Sequence, residues 1–296
     1  MFVNNSRGNF NKDSDWTLQQ YLDFVGDFKG SFLPMSIKQY THDGKVFNVV
    51  DESIIECGFK ARAAEFAVAN TKENEIVYVQ PRRGYAGISL SYLCEKYGKK
   101  LTLVMPSSKE ISDHQALCIQ YGANVKFLRI AAMPNANKAA KEYAESVGAK
   151  FFPLGLQDRI VTAGAVTEIY NNLGHLDIKN MWSVISTGVL TRALQIALPD
   201  TNFNAIAVAR NIKHGELGRA GFASYHKPFN SKADYLQQTI NIEDSYDAKG
   251  FEVMIKNGSS GDYFFSVAGN APKPILDKST IDSYRDWRDK RDFINI

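Results

Sequence analysis

The stretch Leu101–Phe127, LTLVMPSSKEISDHQALCIQYGANVKF, decides the fold class. Leu101–Met105 is a short apolar run ended by Pro106, a residue that cannot continue a strand ladder, and it reads as a strand. From about Asp113 to Tyr121 the apolar spacing is helical, with Gly122 as a stop, and Asn124–Leu128 begins a new strand. Strand, helix and strand in close succession specify a parallel pair joined by a crossover, because parallel neighbours cannot be joined by a tight turn.

The same alternation extends outward in both directions. Upstream, Val46–Val50 and Glu75–Val79 read as strands, and Phe59–Ala69 and Gly87–Tyr97 read as helices. A first helix spans Trp16–Phe28, stopped by Gly30, and the residues before it form a polar, asparagine-rich arm. Downstream come helix Ala136–Val147 and strand Lys150–Pro153. After Pro153 a second series starts, with helix Thr162–Leu173, strand Met181–Ile185, helix Leu190–Ala197 and strand Phe203–Ala209. The later region is less regular, with Tyr225–Phe229 in a loop and Tyr263–Val267 as a late strand. The class is α/β: two three-layer α/β domains with mostly parallel sheets, and ligands expected in the cleft between them at the carboxyl ends of strands. The expected division is an arm and helix over residues 1–34, a smaller domain over 35–150 and a larger one over 151–296.

Composition excludes several classes. A chain of 296 residues, 44% hydrophobic and 23% charged, can bury two cores and is neither disordered nor collagenous. A net charge of +3 gives no ground for a phosphate-tracking nucleic-acid binder. No run approaches the roughly 18 apolar residues of a membrane helix, and the opening MFVNNSRGNFNKDSDW lacks a secretion signal's apolar core, so a soluble, cytoplasmic protein is expected. Cys57, Cys94 and Cys118 lack CxxC spacing; the last two lie in apolar helical patterns and read as inert core thiols, while Cys57 adjoins the candidate site. His175, His214 and His226 show no metal-ligand spacing, so no metal is expected. The basic stretch from Arg210 to Lys227, with Lys213, His214, Arg219 and His226, reads as a solvated loop.

Three stretches carry chemistry. Glu56-Cys57-Gly58-Phe59-Lys60-Ala61-Arg62-Ala63-Ala64 follows a strand and opens a helix. A lysine there meets the positive helix end, partial desolvation and neighbouring Arg62, all of which favour the neutral, nucleophilic amine; the plainer alternative is a solvated surface lysine. Arg82-Arg83-Gly84-Tyr85-Ala86-Gly87-Ile88-Ser89-Leu90 lies between a strand and a helix, where a glycine turn bares N–H groups suited to an anion. Its two guanidinium groups can clamp a carboxylate or phosphate, or sit idle on a solvated loop. Val184-Ile185-Ser186-Thr187-Gly188-Val189-Leu190-Thr191-Arg192 spans a strand-to-helix junction, which suits a phosphate or a helix capped by Ser186 or Thr187.

In this order, from about Leu33 to Leu276, these stretches and the Leu101–Phe127 unit resemble the fold type II pyridoxal-phosphate enzymes, the tryptophan synthase beta-like family of cysteine synthase, threonine synthase and serine or threonine dehydratase. The resemblance implies that Lys60 is the catalytic Schiff-base lysine, within a Gly/Ser-[Val/Phe]-Lys-Asp-Arg segment. It places Arg82, Arg83, Gly84 and Ala86 on the loop that holds the substrate carboxylate, and Tyr85 where an asparagine contacts the cofactor. It gives the cofactor phosphate to Ser186, Thr187, Gly188 and Val189, in place of a Gly-Thr-Gly-Gly-Thr loop, with help from Arg192. The pyridine nitrogen falls at Val267 or Ala268, with Ser266 one step before. The Leu101–Phe127 unit is architectural and leaves His114 as a helix-surface histidine.

The implied protein is a homodimeric lyase or transferase that uses pyridoxal 5'-phosphate for β-elimination or β-replacement on an amino acid. It has no membrane or nucleic-acid partner. The departures, above all Tyr85, the paired arginines and the single surviving glycine at Gly188, leave a second reading: a protein of this fold that has shed the cofactor and binds or transforms a phosphorylated small molecule or nucleotide.

Overall fold

The computed structural model describes residues 16–106, 111–128, 132–208, 212, 214–276 and 279–280. The chain divides into two compact units, Met1–Ala63 with Arg159–Asn270 and Ala64–Asp158 with Ala271–Ile296.

The first unit is built on a six-stranded sheet of order β1-β2-β10-β7-β8-β9. Its strands are β1 (Ser36–His42), β2 (Lys45–Asp51), β7 (Asn180–Ile185), β8 (Asn202–Ala207), β9 (Gly221–Ser224) and β10 (Tyr263–Ser266). β1 and β2 form an antiparallel hairpin, and every other pair is parallel. The hairpin turns on Asp43 and Gly44, both at positive φ (47° and 75°), as the tightest β-hairpin turn requires. Helices α1 (Leu18–Val25), α6 (Arg159–Leu173), α7 (Val189–Ala197), α8 (His214–Leu217) and α9 (Asp247–Asn257) accompany the sheet, with α1 packed on α6. Phe251, Met254 and Ile255 of α9 pack with Phe47, Val184 and Phe264 of the strands in one core. Gly250 lets α9 settle there, since a Cβ at that position would stand 2.4 Å from a methyl of Val184.

The second unit has a four-stranded, wholly parallel sheet of order β5-β4-β3-β6, made of β3 (Glu75–Val79), β4 (Lys100–Pro106), β5 (Asn124–Leu128) and β6 (Lys150–Phe152). Helices α3 (Ala86–Lys96), α4 (Asp113–Gln120) and α5 (Met133–Val147) connect the strands in the crossover pattern. Alanines 136, 139, 140 and 144 form one stripe of α5 and pack on Val77, Val79, Val104 and Leu128.

The α/β class and the mostly parallel sheets agree with the sequence reading. The partition differs from it in three places, one being that Ala271–Ile296 falls in the second unit. The strand at 46–50, expected in the smaller domain, pairs with β10 and lies in the first unit, and the second unit continues past residue 150 to Asp158 because β6 pairs with β3. β1, β9 and α9 were not expected from the sequence. The arm before Trp16, residues 107–110 of the Leu101–Phe127 unit, Ala209, Arg210 and Lys213 lie outside the described residues, as does the side chain of His214. Among the described residues no helix is long and apolar enough to cross a membrane.

Candidate active site

β2, β10 and β7 are adjacent and parallel, so their carboxyl ends emerge side by side on one edge of the first unit's sheet, the edge at which α/β sheets place ligands. The chain leaving β2 makes a 3-10 turn over Glu52–Ile54, started by the Ser53 N–H donating to Asp51 Oδ1 at 2.9 Å. Gly58 then takes φ +71°, and α2 (Phe59–Asn70) begins. The Phe59 N–H donates to Val267 O at 2.8 Å, and the Phe59 ring meets Phe265 edge-on with centroids 5.0 Å apart. Lys60, the second residue of α2, is therefore placed by a main-chain link to the end of β10. Its side chain keeps partial solvent contact, while burial of the amine brings its pKa down to about 8.

Arg62 was expected to help suppress that charge and does something else. Its guanidinium is buried and donates to Glu52 through Nε (2.8 Å) and Nη2 (3.0 Å), to Glu168 (3.2 Å) and to the Leu33 carbonyl (2.8 Å). Burial works against its charge, but Glu52 and Glu168 outweigh burial and hold its pKa above the ordinary value. Desolvation alone thus lowers the pKa of Lys60, and Arg62 anchors the helix.

At the end of β10 the side chains alternate. Phe265 turns to Phe59, and Phe264 turns to Phe251 of α9, so Ser266 shares the α9 face and stands beside Asp51 in the β2 register. Ser266 Oγ is buried beside the Asp247 carboxyl, whose charged form its hydroxyl favours. Across from it Asp247, the first residue of α9, accepts from the Val267 N–H (2.8 Å) and the Ala268 N–H (3.3 Å) through Oδ2, while its buried Oδ1 has no partner. Burial, with Glu243 adding to it, pushes this carboxyl well above the carboxylate range, against the pull of those two N–H groups and the Ser266 hydroxyl. Asp247 escaped the sequence reading. The available signal was an acid just ahead of the helical spacing Ala248, Phe251, Met254 and Ile255.

Beyond β7, Ser186 and Thr187 lead into Gly188, which caps α7 at φ +81° and offers no side-chain acceptor to the helix. The alternative of a helix capped by Ser186 or Thr187 is not what forms. The first N–H groups of α7, from Val189 onward, start without a side-chain cap, as an anion site requires. A side chain at residue 188 would need a left-handed backbone and would stand 3.2 Å from the Glu216 carbonyl. Arg192 acts electrostatically on the buried Tyr21 hydroxyl of α1, where it opposes the upward push of burial. Arg219, read as part of a solvated loop, donates to the carbonyls of Gln195, Leu198, Pro199 and Thr201 at 2.8–3.2 Å and closes the end of α7. His226 and Lys227 pair with Asp234.

In the second unit, the loop between β3 and α3 holds Arg82, Arg83, Gly84, Tyr85 and Ala86. Both arginines are exposed, Tyr85 is half-buried, and Ala86 begins α3 as a buried residue. Gly84 sits at φ +132°, which L side chains rarely adopt. The buried Gln80 spans the loop, its Nε2 donating to the Pro81 (3.0 Å) and Gly84 (3.2 Å) carbonyls and its Oε1 accepting from the Gly87 N–H (2.9 Å). The Tyr85 ring meets His114 of α4 at right angles, centroids 5.4 Å apart. His114 is half-buried and not the surface residue expected; burial and then Arg83 lower its pKa. Cys94 and Cys118 are core thiols as expected, both pushed up to about 12 by burial.

The model of a family described as pyridoxal-phosphate dependent enzyme matches residues 51–248. Among solved structures, an ACC deaminase homologue aligns at TM-score 0.73 and 14% identity, over 90% of this chain and 99% of its own. The processed form of threonine deaminase isoform 2 from Solanum lycopersicum aligns at 0.69 and 14%, over 96% of each chain. Escherichia coli diaminopropionate ammonia lyase in its apo form aligns at 0.64 and 13%, over 98% of this chain and 96% of its own. At such identities the likeness establishes a shared fold. No curated protein matches the sequence.

Proposed function

The chain belongs to the pyridoxal-phosphate dependent enzyme family, and from that premise we propose that it acts on an amino-acid substrate by elimination or replacement at Cβ, with Lys60 as the amine that carries the cofactor. When bound, pyridoxal phosphate supplies a carbonyl that an amine can attack and an electron-poor ring that stabilises negative charge at the substrate Cα. The strand edge of the first unit suits that group on two counts. It offers an amine already poised for attack, and a helix start with no side-chain cap and Ser186 and Thr187 hydroxyls alongside for a phosphate. The ring-nitrogen side is less complete, since Ala268 offers only main chain and Ser266 Oγ is turned onto the α9 face.

The observation that carries the reading is the Lys60 amine. A lysine with pKa about 8 is neutral in about one part in ten at pH 7, against well under one in a thousand for an ordinary lysine. That neutral fraction lets Nζ act first as nucleophile and, once released, as the base that takes the proton from the substrate Cα. In this reading the Gly188, Val189 and Leu190 N–H groups hold the cofactor phosphate. The Gly84 and Ala86 N–H groups take the substrate carboxylate with Arg82 and Arg83, and Tyr85 stands at a cofactor-contact position.

The test is cofactor uptake. Added pyridoxal phosphate should give wild-type protein a visible absorption band that Lys60→Ala lacks, and borohydride reduction should leave the cofactor's mass on the peptide containing Lys60. A wild-type protein that stays colourless, or that is labelled only at other lysines, would overturn the proposal.

A further inference from the structure

Val267 and Ala268 lie past the last residue of β10, outside its ladder, and yet all four of their main-chain groups are held. Asp247 Oδ2 accepts from the Val267 N–H at 2.8 Å and from the Ala268 N–H at 3.3 Å. The Ala268 carbonyl accepts from the Glu243 N–H at 3.2 Å, and the Val267 carbonyl accepts from the Phe59 N–H at 2.8 Å. The last of these bonds sets the start of α2. Phe59 is the first residue of that helix, and its N–H is one of the donors that a helix start leaves without an internal partner. The Val267 carbonyl and the Ala268 N–H belong to one planar peptide unit, so Asp247 pulls on one side of a rigid plate whose other side receives α2. Lys60 is the next residue along the helix.

Asp247 spends its carboxyl on this plate and not on its own helix. The residue before it, Tyr246, makes no side-chain capping bond to α9, and Asp247 reaches away from α9 to the chain beyond β10. A fully buried carboxyl is costly unless hydrogen bonds repay it, and the two N–H groups and the Ser266 hydroxyl are what it meets there. Burial and then Glu243 favour its neutral form. A neutral acid keeps its carbonyl oxygen as an acceptor, so the grip on the plate does not depend on charge, and an amide of the same shape can maintain it. Burial is also what lowers the pKa of Lys60, so a side chain that fixes where α2 begins controls how dry that amine is kept.

We propose that Asp247 is a positioning residue for Lys60: by holding the peptide unit that receives the first N–H of α2, its carboxyl fixes the point at which that helix leaves the sheet edge and, with it, the seat of the amine. The inference rests on the reading of Lys60 as the working amine.

The experiment reads the amine directly, with no cofactor present. The full-length wild type and the variants Asp247→Ala, Asp247→Ser and Asp247→Asn are labelled with trace acetic anhydride from about pH 6 to about pH 11, and acetylation of the Lys60 peptide is followed by mass spectrometry. Only the neutral amine reacts, so the inflection of the profile is the pKa of Lys60. The wild type should inflect near about 8. Asp247→Ala should move the inflection to about 9 or higher, toward the ordinary lysine value of about 10.4, because a loosened helix start admits water. Asp247→Asn should restore the wild-type profile, and labelling of Lys99 in the second unit should not change in any variant. Urea denaturation identifies the variants that fold. Asp247→Ser, a residue well tolerated at a helix start, should shift the inflection in the same direction as Asp247→Ala and carries the test where the alanine variant does not fold. An inflection that stays put in the folded alanine or serine variant, or an asparagine variant that behaves like alanine, would overturn the proposal. Its failure is separable from that of the cofactor assignment. A protein that takes up no pyridoxal phosphate but shows these shifts keeps the positioning role and loses the other reading, and uptake on Lys60 with an inflection indifferent to residue 247 does the reverse.

Discussion

Two segments that each leave a strand and open a helix, Glu52–Arg62 after β2 and Pro81–Tyr85 after β3, treat their basic residues in opposite ways. In the first, the side chains are tied down: Arg62 is buried against Glu52, Glu168 and the Leu33 carbonyl, and Lys60 is desolvated. In the second, the main chain is tied down and Arg82 and Arg83 are exposed residues. The contrast shows that a basic residue at a helix start says little by itself. What decides its use is whether the protein holds the charge or holds the backbone that presents it.

The largest effect should come from breaking the held charge. Arg62→Leu leaves Glu52 buried without its bidentate partner, and removal of one member of a buried ion pair costs about 3–5 kcal/mol. Urea denaturation followed by circular dichroism measures it. A cost no greater than that of changing Arg82 would abolish the distinction between the segments. Next in size, Gln80→Ala should cost about 1–3 kcal/mol, because it strands the Gly87 N–H and the Pro81 and Gly84 carbonyls together.

Lys60 gives an effect of intermediate size, visible in rate. With a pKa of about 8, the rate of pyridoxal-phosphate uptake should rise about tenfold per pH unit up to roughly pH 8 and then level off. An ordinary lysine would keep accelerating to about pH 10. The sign for stability follows from the same shift. Between about pH 8 and the ordinary lysine value, the unfolded chain holds a proton that the folded chain has lost. This group therefore adds stability as pH rises through that window and contributes a penalty below it. A plateau near pH 10 would mean that the amine is solvated and that the two segments differ less than their geometry suggests.

The sequence made β3, α3, β4 and α4 readable because strands buried on both faces appear as apolar runs, and because Gly98 and Gly122, both at positive φ, close helices where a stop was expected. β1 was hidden because it is an edge strand with mostly exposed residues, although Asp43-Gly44 was the available hairpin signal. α9 was hidden for a different reason. Its inner face carries Asp247, Lys249 and Glu252, all buried, and Lys249 is satisfied by the Pro228 (2.7 Å) and Phe229 (3.2 Å) carbonyls of a distant loop. An apolar count cannot register such a helix. The position of Lys60 could be read from its segment, but of the two acids that hold Arg62, Glu52 and Glu168, the second lies more than a hundred residues away, and only the fold brings it there. His114 was misjudged likewise, because its exposure depends on Tyr85 from another loop.

The smallest effect completes the comparison. Arg82→Ala and Arg83→Ala each remove an exposed side chain from a loop whose main-chain hydrogen bonds come from Gln80, Ser112 and Ser89, so none of those bonds is lost. Surface substitutions of this kind stay within about 0.5 kcal/mol, and the urea midpoint of either variant should sit close to that of the wild type. Because their loss leaves the fold intact, any fall in anion affinity belongs to the guanidinium groups and not to a disordered loop. A destabilisation comparable to that of Arg62→Leu would show that the arginines themselves brace the segment. The division between a held charge and a presented one would then have to be withdrawn.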